Sequence, residues 1–155
     1  MCGLTPSTEP RSPMQSIKRI HVVAAVIHGD SDQILIARRP KHLHQGGLWE
    51  FPGGKIEADE SAYQGLVREL NEELAINATT ATPYMQVFHD YTDKHVLLDI
   101  WQVTAFTGEP RGVEGQECRW VPLTELLGDA SSYEFPEANK PILQKLAANL
   151  PHNPA

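Results

Sequence analysis

The stretch Gly54-Lys55-Ile56-Glu57-Ala58-Asp59-Glu60-Ser61-Ala62-Tyr63-Gln64-Gly65-Leu66-Val67-Arg68-Glu69-Leu70-Asn71-Glu72-Glu73-Leu74-Ala75-Ile76 decides how this chain is read. Ser61 followed three residues later by Gln64 makes a capping box, and Glu60 adds negative charge at the positive end of the helix dipole. A helix is therefore expected to begin near Ser61. At about 100° per residue, Tyr63, Leu66, Val67, Leu70 and Leu74 cover one arc, while Glu69, Glu72 and Glu73 fill the neighbouring arc. The acids then sit half desolvated at the edge of the core. Arg68, one turn before Glu72, can hold that carboxylate as an i, i+4 pair.

Three like charges so close repel one another. Either the face is a solvated acidic surface laced with ordinary ion pairs, or the carboxylates hold a cation, and hard oxygen ligands call for Mg2+ or Mn2+. The preceding segment, Trp49-Glu50-Phe51-Pro52-Gly53-Gly54-Lys55, favours the cation. It supplies a rigid lead into the helix, two glycines that permit close backbone approach, and a lysine.

Composition bounds the alternatives. The 155 residues, 41% hydrophobic, suffice for one core, with expected boundaries at 1–16 for a disordered extension rich in Pro and Ser/Thr, 17–150 for a single domain and 151–155 for a disordered tail. A formal charge of -7 and a pI near 5.4 argue against a nucleic-acid partner. Cys2 and Cys118 are too few for a disulfide framework, and no apolar run approaches membrane-spanning length, so a cytoplasmic protein with no membrane partner is expected.

Strand and helix periods alternate along the remainder. Ile20–Ile27 and Gln33–Ala37 read as a hairpin, Met85–Tyr91 and His95–Phe106 as two longer strands, and Cys118–Val121 as a short one. Pro122–Leu127 reads as a short helix and Pro136–Leu150 as a longer one. Such interleaving implies an α/β/α sandwich around a mixed sheet. His42 and His44 flank Leu43 but lack a third ligand, and Arg38-Arg39 suits either a structural role or a phosphate or purine edge. Taken alone, Glu114 in its glycine-bounded loop indicates nothing beyond exposure.

Glycine, loop and glutamates together resemble the box of the Nudix hydrolase family: Gly, five residues, Glu, seven residues, Arg-Glu, an aliphatic, any residue, Glu-Glu, any residue, Gly, an aliphatic. One position departs, because Ala75 stands at the second glycine. An alanine at positive φ costs on the order of 1 kcal/mol. The resemblance is greatest to the MutT-type pyrophosphohydrolases, which sanitise 8-oxo-dGTP, and covers about residues 18–146. It implies the Nudix-type α/β/α sandwich. It further implies substrate contacts from Arg39, His44, Glu50, Phe51, Pro52 and Gly53, a metal-binding carbonyl at Gly53, and an extra acid at Glu114. In Phe135-Pro136-Glu137-Ala138-Asn139, it implies that Asn139 reads the oxidised guanine, a task suited to an amide that is both donor and acceptor. Two further departures are Lys94, where the family has arginine, and about four extra residues between Trp120 and Asn139, which bear on where Asn139 lies.

A mechanism follows from charge. Water must reach a phosphorus screened by anionic oxygens, and a metal both neutralises that charge and acidifies the water. Glu72 and Glu73 are expected as metal ligands with the Gly53 carbonyl, Glu69 as a further ligand and general base, and Glu114 as auxiliary ligand or alternative base. The expected protein is a monomeric, Mg2+-dependent enzyme, with Mn2+ as a substitute, that releases a nucleoside monophosphate and pyrophosphate. Other readings are a Nudix hydrolase of CTP, a sugar nucleotide or a dinucleoside polyphosphate, and a non-catalytic nucleotide sensor.

Overall fold

A computed structural model describes residues 18–43, 46–128 and 131–149. The expected extension at 1–16, the tail at 151–155 and His44 lie outside these residues. So do both ends of the expected domain.

The β-branched run at the start forms β1 (Lys18–His28), which turns through Asp30–Asp32 into β2 (Gln33–Arg38). The two pair antiparallel near the turn, at Ile27↔Leu35 and His28↔Ile34, so the expected hairpin is present. The segment leading to the helix, read from sequence as a loop, contains two short strands, β3 (Trp49–Glu50) and β4 (Gly53–Lys55). β4 pairs with the middle of β1 and β3 with the end of β2. Next come α1 (Ala62–Leu74), β5 (Asn77–Asp90), β6 (Lys94–Thr107), β7 (Cys118–Pro122), α2 (Leu123–Leu127) and α3 (Lys140–Ala148).

The sheet runs β3-β2-β1-β6-β5, with β4 on β1 and β7 on β2. β1 and β6 are parallel neighbours over ten residue pairs and the other pairings are antiparallel, so the sheet is mixed. Both faces are covered. Val23, Ala25, Ile27, Leu35 and Val103 pack on Leu66, Leu70 and Leu74 of α1. Alternate residues Ala24, Val26, Ile34, Ile36 and Ile100 pack on Leu126 of α2 and Ile142 and Leu146 of α3. Period-two alternation along β1 thus feeds two cores, giving the α/β/α sandwich.

Three sequence expectations are corrected. β5 begins at Asn77, not Met85; it is an edge strand, where Pro83 is tolerated and register shifts occur near Ala78–Met85. The last helix begins at Lys140 instead of Pro136, because Glu137–Asn139 form a separate 3-10 turn and Asn139 becomes the N-cap. Tyr63, placed on the apolar arc, is 41% exposed and meets Trp101 at 5.9 Å between ring centroids.

Candidate active site

Helix α1 starts as its letters direct. Ser61 accepts from the Gln64 amide at 3.0 Å, and Gln64 accepts from the Ser61 amide at 2.9 Å. Its end is strained at one residue: Ala75 sits at φ 61°, ψ 32°, with its amide bonded to Asn71 O. That is the left-handed conformation expected where the family carries glycine.

Arg68 organises the acids more widely than helical spacing indicated. It donates Nε to Glu60 Oε2 at 2.6 Å, Nη2 to Glu60 Oε1 and Lys55 O at 3.0 Å, and Nη1 to Glu69 and Glu72 at 3.1 Å. One guanidinium therefore ties β4, the segment before the helix and two turns of the helix together. It holds the Glu60 carboxyl below its usual range, aided by the Glu57 amide that Glu60 also accepts. The i, i+4 pair with Glu72 was legible, but the reach back to Glu60 was not, since Glu60 precedes the helix.

The carboxylates divide into two sets. Glu72 is 58% exposed and lies on Arg68. Glu69 is 14% exposed, shared between Arg68 and the interior, where Gly54 leaves room for it: a Cβ on Gly54 would collide with the Glu69 carboxylate. Gly53 is equally constrained, because a Cβ there would strike the Val23 carbonyl. Glu73 faces the second set. Burial first, then the charge and hydrogen bond of Glu69, then the charges of Glu50 and Glu114, push its carboxyl up to about 8. Burial also raises Glu50, and Arg39, 3.7 Å away, opposes that shift.

Glu114 arrives here because its loop caps the end of α1. The Val113 amide donates to Glu73 O at 3.0 Å, the Arg111 amide to Leu74 O at 3.0 Å, and Gln116 Nε2 to Glu73 O at 3.3 Å. Gln116 in turn accepts from the Glu114 amide. Neither Gln116 nor the acidic role of Glu50 was legible: both depend on distant segments meeting.

Among the described residues no three His, Cys, Asp or Glu side chains form a ready metal cage, and Arg68 occupies Glu69 and Glu72. The donor set nevertheless fits a hard divalent ion. Burial first, and the neighbouring acids Glu69, Glu50 and Glu114 after it, hold the Glu73 carboxyl up at about 8, and a cation among these acids would offset the part that their charge contributes.

On the other side of the sheet lie the residues expected to meet the base. Phe51 and Pro52 are buried, with Phe51 against Phe135 at 5.2 Å. The extra residues before Phe135 do not pull it away, because Trp49 N donates to Glu134 O at 2.8 Å. Asn139 follows the buried Ala138, and its side chain makes no capping bond to α3. Lys94 opens β6, with its Nζ 5.1 Å from the centroid of the Tyr91 ring. His42 is exposed, and its companion His44 lies outside the described residues.

Comparison with known proteins agrees with this architecture. The family profile described as NUDIX domain matches residues 22–145. The chain is 36% identical over 130 residues to the 8-oxo-dGTP diphosphatase of Escherichia coli K12, covering 84% of this chain and 98% of that protein. It is 40% identical over 139 residues to the CTP pyrophosphohydrolase of the same organism, covering 90% and 99% respectively. Among solved structures, a MutT from work on Aliivibrio salmonicida and Vibrio cholerae superposes with a TM-score of 0.74 at 43% identity, covering 86% of this chain and all of that one. With the box, the sandwich and the carboxylate cluster all in place, this chain belongs to the NUDIX domain family.

Proposed function

We propose that this Nudix hydrolase converts 8-oxo-dGTP and water to 8-oxo-dGMP and pyrophosphate, acting as a cytoplasmic monomer on free nucleotides, with a domain spanning 17–150. The observation that carries the hydrolytic part is the gathering of Glu50, Glu69, Glu73 and Glu114 where α1, β3, β4 and the 111–116 loop meet. A nucleotide sensor has no need of so much half-buried negative charge. Relatives named 8-oxo-dGTP diphosphatase support the choice of base.

Glu72, Glu73, Glu69 and Glu114, with the Gly53 carbonyl, are the groups that would hold the cation, for which Mg2+ is our assignment and Mn2+ the substitute. When bound, such an ion neutralises phosphate oxygens and makes water easier to deprotonate. We assign Glu69, packed against Gly54 and bonded to Arg68, as the base that would take a proton from the attacking water, with Glu114 as the alternative base. Attack at the β-phosphorus breaks its bond to the oxygen bridging the α- and β-phosphorus, which leaves with the monophosphate. Arg39, beside Glu50, and His44 bind the nucleotide, and the Glu50–Gly53 segment lies along it. Asn139 supplies donor and acceptor to the oxidised base.

The 40% identity to a CTP pyrophosphohydrolase, over 99% of its length, favours CTP as a second reading. Monophosphate release from 8-oxo-dGTP, dGTP, dCTP, CTP and ADP-ribose, each assayed separately with and without Mg2+, tests both. Preferred, Mg2+-dependent turnover of 8-oxo-dGTP is expected; preferred turnover of CTP overturns the first reading in favour of the second.

A further inference from the structure

Two arms border the base side of the sheet, and both are fastened to one indole. Trp49 on β3 is buried, with the Arg38 guanidinium 5.6 Å and the Arg119 guanidinium 5.3 Å from its ring centroid. Arg38 also donates Nε to Gly47 O at 3.0 Å, which holds the loop that follows Arg39. Arg119, on β7, stacks 5.8 Å from Tyr133 and donates to its hydroxyl at 3.2 Å. Tyr133 meets Trp49 edge-on at 5.4 Å and 78°, and its hydroxyl donates to Glu125 at 3.3 Å. Glu117 accepts from Arg119 at 2.5 Å and lies 3.7 Å from Arg38, so the two cations share one carboxylate.

The stack lies within the strap that enters α3. Tyr133 stands two residues before Phe135, and the Trp49 amide bonds to Glu134 between them. Without the stack, the lengthened connection from α2 would hold Phe135–Asn139 by the Trp49–Glu134 backbone bond and by the burial of Phe135 and Ala138, with no side-chain clamp on the residues just before Phe135 among the described residues. Ordering that connection would then fall to the ligand at each binding event. A lysine at 119 keeps the charge but lacks the planar fork that stacks on two rings and bonds to two oxygens.

We propose that Arg119, acting through Trp49 and Tyr133, is a positioning residue for the strap Phe135–Asn139, and so sets nucleotide affinity and base selectivity without taking part in hydrolysis. The inference rests on the proposed function only in that the strap meets the base. Arg119 is half exposed, and β7 pairs with β2 through backbone at Ile36↔Arg119, so truncating the side chain leaves the sheet intact.

Calorimetric titration of 8-oxo-dGMP, dGMP and CMP into the wild type, Arg119→Ala, Arg119→Lys and Tyr133→Phe tests it. For whichever nucleotide binds best, Arg119→Ala raises Kd about 10-fold, Arg119→Lys recovers little of this, and Tyr133→Phe loses about 3-fold. KM rises in step, while kcat stays within about twofold. Unchanged Kd in Arg119→Ala overturns the inference, as does a fall in kcat matching the rise in KM. If Arg119→Ala does not fold, Tyr133→Phe, which deletes a single oxygen, carries the same test. A wild type that prefers CMP, with Arg119→Ala still weakening CMP, sinks the oxidised-guanine reading and supports this one. Binding of none of the three overturns both.

Discussion

The two faces of the sheet solve different problems by different means. On the α1 face, one guanidinium and most of the carboxylates are set by residues close in sequence, from Gly53 to Glu73, while Glu50 joins from β3 and Glu114 from the 111–116 loop. On the α3 face, the strap ending at Asn139 is held by Trp49, Arg119 and Tyr133, three residues from three distant segments. The contrast teaches that, under the proposed function, chemistry and choice of substrate would be carried by separate faces. In the proposed function, helix α1 carries the charge that hydrolysis needs, and the strap before α3 carries the groups that would meet the base.

Four perturbations break or sharpen that comparison. The largest effect belongs to the acidic face: Glu73→Gln keeps shape but removes a charge, and turnover should fall more than ~10²-fold with the fold retained. An active variant with unaltered Mg2+ dependence, measured by pyrophosphate release, removes Glu73 from the site. Next comes the strap. Asn139→Ala should weaken 8-oxo-dGMP binding by roughly 1.5 to 3 kcal/mol and unmodified dGMP much less. Equal loss for both, in paired titrations, shows that Asn139 does not read the oxidised edge.

Stability against pH probes the acidic face without substrate. With its carboxyl up to about 8 in the folded protein and near 4.5 when unfolded, Glu73 keeps a proton that the unfolded chain has released within that window. The unfolded state then binds fewer protons, so stability of the metal-free protein falls as pH rises across the window. Glu73→Gln should flatten this slope in denaturant titrations; an unchanged slope assigns it to other groups. The smallest effect is at Ala75, whose φ of 61° predicts that Ala75→Gly gains up to about 1 kcal/mol with turnover nearly unchanged. A less stable glycine variant contradicts the strain argument.

Legibility in the sequence followed the same division. The capping box, the carboxylate arc and the Arg68–Glu72 pair depend on neighbours a few positions apart, and each is present, as is the left-handed residue 75 that the family box implied. The hairpin followed from the β-branched run and the turn after it, and the sandwich from the interleaved helices. What escaped depends on segments far apart. Glu50 joining Glu73, Gln116 capping α1 and Arg119 stacking on Trp49 each need the sheet to be built first, and no local period announces them. Asn139 at an N-cap was hidden similarly, because Pro136 resembles a helix start while the chain makes a 3-10 turn before the helix begins.

The most direct test of separable faces is kcat/KM for 8-oxo-dGTP relative to dGTP, measured side by side in the wild type, Glu73→Gln and Asn139→Ala. Glu73→Gln should slow both substrates alike and leave the ratio within about twofold, whereas Asn139→Ala should collapse the ratio and spare kcat. A ratio that shifts in Glu73→Gln, or a kcat that falls in Asn139→Ala as far as it does in Glu73→Gln, contradicts the account.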